Sequence, residues 1–224
     1  MNFIGHYYMD KDIQNPYFTF GALLPDIAKG FSKTYNQLHK FPLPTKPSHL
    51  SIQNGIYRHV KTDAVFHNLE SFHNACDELE IILKSNPELQ LPKTFFIAHI
   101  LVELLIDKQI AINEIEVVKK FYIEMNEIDN TELISYCESI HFFDFKSKIL
   151  PRFDMFIQNE YALKLLHNEN VLVALEKICF DKLEIKTSEQ EKEVLIKLIS
   201  EADNVMKKTY QLILDQTKEK LNYE

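Results

Sequence analysis

The chain is short of glycine. Only four occur in 224 residues, Gly5, Gly21, Gly30 and Gly55, and none from Ile56 to Glu224. A sheet protein of this size needs many tight turns, which draw on glycine for positive φ, so the shortage predicts an all-α fold. Cysteine is equally sparse. Cys76, Cys137 and Cys179 are odd in number, widely spaced and outside any C-x-x-C pattern, which argues against a disulfide framework. They read as small buried side chains in a reducing compartment, the cytoplasm. No apolar run approaches the roughly 18 residues of a membrane span. The opening Met1-Asn2-Phe3-Ile4-Gly5-His6 lacks the basic start and apolar stretch of a secretory signal. Glycine-rich phosphate loops, nucleophile elbows and H-E-x-x-H helices are absent from the sequence as well.

What is present is ordinary globular composition, 46% apolar and 26% charged, enough for one large helical domain with a proper core. The net charge of −8 argues against nucleic-acid binding, which depends on neutralising phosphates. The charge is unevenly spread. Residues 1–61 hold seven basic against three acidic side chains, a surplus of +4, which leaves −12 on the remainder. Such asymmetry suits either a mixed solvated surface or a face that meets an anionic partner.

The patterning predicts a helix over 16–30, with Asn15 as cap, Pro16 at the first helical position and a break or kink at Pro25. A proline-containing loop follows over 31–48. A long helix is expected over 51–85, broken near His73, and another from Pro92 through Ile112 or further. Short helices are expected near 131–143, 152–166 and 168–180. The stripe Leu195, Leu198, Ile199, Ala202, Val205, Met206, Thr209, Leu212 and Ile213 predicts a final helix over 188–221 with one core face.

Two segments carry the chemistry. His59, Asp63 and His67 stand at i, i+4 and i+8, and His99, Glu103 and Asp107 repeat that spacing. At about 100° per residue each triad occupies one helix face, with successive members about 6 Å apart along the axis and the outer two about 12 Å. Neighbours can share an ion; a whole triad hardly can. Ile97, Ile100, Leu101, Val102, Leu104, Leu105 and Ile106 surround the second triad, where an unpaired carboxylate would cost several kcal/mol or stay neutral through a raised pKa. A metal, a structural ion pair or a polar edge at solvent would each remove that cost. His6, among Phe3, Ile4, Tyr7 and Tyr8, suits a core histidine or a ligand. Asp26, after Leu23-Leu24-Pro25, suits a cap or a ligand.

Taken together, Met1-Asn2-Phe3-Ile4-Gly5-His6, Gly21-Ala22-Leu23-Leu24-Pro25-Asp26, Gly55-Ile56-Tyr57-Arg58-His59 with Asp63, and His99 resemble the acyl-carrier-protein phosphodiesterases. Those are all-helical, metal-dependent relatives of the HD-domain phosphohydrolases. The resemblance covers roughly residues 1–110 and implies metal ligation by His6, Asp26, His59, Asp63 and His99. It also implies hydrolysis of the phosphodiester joining 4′-phosphopantetheine to a carrier-protein serine. The chain departs from the family pattern at Ala22, Pro25, Val60, His67 and Ala98. The Gly-Ala-x-x-Pro-Asp wording is also similar to zinc-dependent phospholipase C-like helical proteins. A histidine in place of an aspartate at His67 shifts the ligand set toward nitrogen, favouring Mn, Fe or Zn over Mg.

The resulting expectation is a single HD-like helical domain, with a metal-site half over 1–110 and a helical remainder over 111–224. Asp26, His59, Asp63 and His99 are the first-choice ligands. His6, His67 and Glu103 would complete a second ion's shell or orient the first ligands. Arg58 and Lys29 would neutralise charge on a phosphoryl group. The basic stretch over 31–46 would dock an acidic partner such as acyl carrier protein. A noncatalytic helical binding module and a lipid phosphodiesterase are the alternatives.

Overall fold

The computed structural model describes residues 1–29, 38, 40–87 and 89–223. Among these every regular element is helical: α1 (Phe3–Met9), α2 (Pro16–Ala28), α3 (Pro47–Phe66), α4 (Glu70–Lys84), α5 (Thr94–Asn113), α6 (Ile115–Asn126), α7 (Asn130–Ser139), α8 (Leu150–Gln158), α9 (Tyr161–Lys164), α10 (Asn168–Leu175), α11 (Asp181–Leu183) and α12 (Glu189–Tyr223). π-helical turns over Phe145–Ile149 and Glu176–Phe180 lead into α8 and α11. The fold is all-α, as the glycine shortage implies. No described helix is long and apolar enough to cross a membrane. Gly30 and half of the basic stretch over 31–46 (31–37 and 39) lie outside the described residues.

Local chemistry sets several boundaries. Asn15 caps α2, its side chain accepting from the Tyr17 and Phe18 N–H groups at 3.1 and 3.2 Å. Pro16 occupies the first turn, where a missing N–H costs nothing. α2 is not interrupted at Pro25 but continues to Ala28. α3 starts earlier than expected, because Pro47 opens the helix instead of ending the loop. The break between α3 and α4 falls at residues 67–69 rather than at His73. Ahead of α12, Ser188 and Glu191 form a capping box: the Ser188 N–H donates to Glu191 Oε2 at 2.7 Å, and the Glu191 N–H donates to Ser188 Oγ at 3.3 Å.

The chain divides into two compact units, one made of 2–64 and 115–161, the other of Met1, 65–114 and the chain from Ala162 onward. In the first, hereafter the α2–α3 unit, α1 packs on α2 and α6, and α6 packs on α8. Its core is aromatic. Phe20 meets Phe145 and Phe153 edge-on, while Phe121 sits against Tyr7 and Phe156. In the second, the α5–α12 unit, α5 packs on α4, α10 and α12. The α12 stripe is buried at Leu195, Leu198, Ile199, Ala202, Met206 and Ile213, whereas Leu212 is exposed. A polar network interrupts this core: Lys108 Nζ lies 3.1 Å from Asp203 Oδ2 and also donates to Asn168, and Gln109 donates to Asp203 Oδ1 at 2.6 Å.

Candidate metal centres

In the α2–α3 unit the site begins with two glycines. A Cβ on Gly21 would stand 2.0 Å from the Ile52 carbonyl oxygen, and one on Gly55 would stand 2.1 Å from the Phe18 carbonyl oxygen. α2 and α3 therefore cross backbone to backbone. Each helix-interior glycine costs about 1 kcal/mol against alanine, and the close approach is what that cost secures. The crossing brings the Ala22 carbonyl within 2.7 Å of His59 Nδ1. A carbonyl only accepts, so Nδ1 carries a proton, and Nε2 is the nitrogen left with a lone pair whenever the ring is neutral.

That Nε2 faces carboxylates, 3.4 Å from Asp63 Oδ2 and 4.0 Å from Asp26 Oδ1. α1 contributes His6, whose ring stacks on His59 with centroids 4.0 Å apart and planes at 23°. His6 Nε2 lies 3.2 Å from Asp63 Oδ1 and 3.9 Å from Asp26 Oδ2. It is fully buried, and its approach to Asp63 is close without the alignment of a hydrogen bond. A buried nitrogen in that position is costly unless something else engages it. The ligand atoms of His6, His59 and Asp63 all lie within 4.8 Å of one another, a spacing that one ion with bonds of about 2 Å could close with small adjustment.

The electrostatics divide the histidines. Burial, reinforced by the neighbouring His59, pushes the His6 pKa down to about 3. Burial also opposes charge on His59, but the hydrogen bond with Asp63 and the charges of Asp26 and Asp63 outweigh it and raise its pKa. Burial alone would raise Asp63; its hydrogen bond with His59 and the close His6 ring hold it below the ordinary carboxylate range instead. One neutral imidazole, one that favours a proton and an ionised carboxylate form a donor set that a cation in place of the proton would satisfy.

The α5–α12 unit holds a second set. His67 Nε2 and His99 Nε2 lie 3.0 and 3.2 Å from Glu103 Oε1, and the Met1 nitrogen is 3.2 Å from the same oxygen. The two rings stack with centroids 5.0 Å apart, and Phe72 presses edge-on against both. The three side chains again offer ligand atoms within 4.8 Å of one another. Burial would raise the Glu103 carboxyl, but the Met1 ammonium, His67 and His99 hold it well below its ordinary value.

The two sequence triads are thus regrouped. His59 and Asp63 join His6 and Asp26, while His67, just past the end of α3, joins His99 and Glu103. Asp107 is buried and belongs to neither set. Arg58 is tied to Asp10, with Nε 2.8 Å from Oδ2. Lys29 is exposed at the end of α2, its N–H bonded to the Asp26 carbonyl at 3.3 Å. The Ala22 carbonyl has no side-chain signature and is invisible to spacing arguments. Asp10 had a faint one, as the first acidic residue of a basic segment. His49, which has no partner at ligand spacing in sequence, is buried with its Nε2 4.0 Å from Glu132; burial lowers its pKa. No protein-family model, curated protein or solved structure matches this chain.

Proposed function

We propose that this chain is a metal-dependent phosphoric-ester hydrolase acting on a phosphodiester. One observation carries the reading: two buried imidazoles and a carboxylate from α1 and α3 converge within 4.8 Å, with the His59 tautomer fixed by the Ala22 carbonyl. The imidazole content favours Mn, Fe or Zn over Mg. A divalent ion held there would supply Lewis acidity toward a phosphoryl oxygen and toward water. His6, His59, Asp63 and Asp26 hold it. The part-exposed sides of Asp26 and Asp63 leave the approach for substrate. Lys29, one helical turn past Asp26, supplies positive charge toward the ester. His67, His99 and Glu103 hold a second ion in the α5–α12 unit.

The narrower reading, release of 4′-phosphopantetheine from acyl carrier protein, rests on the resemblance of the N-terminal motifs and on the basic surplus over 1–61. All three cysteines are free thiols, which suits a reducing compartment such as the cytoplasm. The test is elemental analysis of purified full-length protein, followed by turnover of bis(p-nitrophenyl) phosphate and of holo-carrier protein before and after chelation. Bound transition metal with chelator-sensitive turnover supports the hydrolase. Lipid phosphodiester turnover without carrier-protein turnover keeps the chemistry and overturns the narrower substrate. Metal-free protein, unaffected by His59→Ala, would make the chain a binding module.

A further inference from the structure

Arg58 was expected to meet a phosphoryl group, yet its Nε is engaged 2.8 Å from Asp10 Oδ2, and both side chains are largely buried. Asp10 closes the C-terminal end of α1, where its N–H donates to the Tyr7 carbonyl at 3.1 Å. It follows His6 by four residues, so the two sit on neighbouring parts of the α1 surface. Arg58 immediately precedes His59 on α3, about 100° around that helix, which turns it away from the ligand set. α1 is only seven residues long, too short to hold its own orientation by helix propensity. Besides packing on α2 and α6, it meets α3 at two points that bear on the site: His6 on His59 and Asp63, and Asp10 on Arg58. Ile13, Phe18 and Tyr57 line an open surface hollow beside the ion pair, so the strength of the pair rests on the burial of its own two side chains.

We infer that Arg58 and Asp10 form a positioning clamp that fixes α1 on α3, so that His6 is presented to the ion shared with His59 and Asp63. Arg58 then acts through His6 and not on the substrate. This rests on the metal reading of that site, and the two are separable by experiment. In full-length protein carrying His99→Ala to silence the second set, Arg58→Ala and Asp10→Ala are each expected to raise the Kd for Zn²⁺ about tenfold, the lower end of what supporting residues contribute at metal sites. The double variant is expected to be no worse than the weaker single, and the exchanged pair Asp10→Arg with Arg58→Asp to recover most of the affinity. At saturating metal, KM for bis(p-nitrophenyl) phosphate stays within about twofold. Amide exchange in α1 of metal-free protein rises in each single variant and falls back in the exchanged pair.

Additive losses, or no recovery on exchange, overturn the clamp. So does an Arg58→Ala variant with unchanged Zn²⁺ affinity and a raised KM, which would return Arg58 to the substrate. If the parent protein takes up no metal, the proposed hydrolase fails, and the exchange of α1 amides alone decides whether the clamp exists.

Discussion

The two ligand sets use similar groups in opposite surroundings. In the α2–α3 unit the imidazoles are buried, with His6 and His59 side chains 2% and 6% exposed, and the Asp63 carboxylate is 29% open. In the α5–α12 unit the order reverses: His67 and His99 are 32% and 36% exposed, and Glu103 is 13%. Burying the imidazoles removes alternative hydration, and the Ala22 carbonyl fixes which nitrogen of His59 would face an ion. Burying a carboxylate under part-exposed imidazoles leaves both rings reachable by water, with Glu103 and Phe72 as their restraints. On the proposed metal reading the first set is therefore the preorganised one, and the second would be the more readily emptied.

The strongest way to break this contrast is at the helix crossing. Gly55→Ala would place a methyl 2.1 Å from the Phe18 carbonyl oxygen and push α2 from α3. A loss of about 3 kcal/mol or more in urea unfolding is expected, with binding at the first set abolished and that at His67, His99 and Glu103 retained. Equal loss at both sets would show that the crossing supports general stability and not one site.

Single-ligand removal sharpens the contrast further. His59→Ala is expected to weaken the tighter of two Zn²⁺ binding steps by more than about a hundredfold, beyond what second-sphere changes do. His99→Ala is expected to affect only the weaker step. If His99→Ala removes the tighter step, the assignment of preorganisation is reversed.

The smallest expected effect is on pH dependence. With the folded His6 pKa at about 3 and its ordinary value near 6.5, the unfolded chain carries a proton over that interval that the folded chain refuses. Acidification from 6.5 toward 3 therefore destabilises the metal-free protein. His59 runs the other way: its raised pKa contributes stability that is present below 6.5 and lost as pH rises through the folded value. His6→Gln should flatten the acid limb of stability against pH, measured by urea unfolding, and leave the limb above neutrality. An acid limb unchanged in that variant would locate the proton uptake elsewhere.

Much of this was legible in the sequence because it depends on local rules. Glycine scarcity gave helices, the α12 stripe gave its buried face, and the Asn15-Pro16 pair gave the start of α2. Spacing alone also argued against a whole triad sharing one ion. It could not say that His67 would part from His59 and Asp63, because that separation comes from the chain leaving the helix at 67–69. Nor could it show Gly21 and Gly55 as a contact, since a glycine's reason lies on the other helix. α6 was hidden for a similar cause: the apolar pattern after Ile112 runs on through Ile115 and Val118, and only the backbone at Glu114 ends α5 there.

The buried Lys108–Asp203 pair has a bearing on where His99 and Glu103 point. α5 is greasy on almost every side, so oiliness alone gives it no preferred way to face. Turning it by a single residue's increment, about 100°, would leave hydrocarbon against hydrocarbon but would strand an ammonium and a carboxylate in a dry interior, at a cost of about 3–5 kcal/mol. The salt link with Gln109 and Asn168 works like the notch on a dial: it indexes the helix about its own axis, and between about one and three turns away the acid and the imidazole are aimed by it.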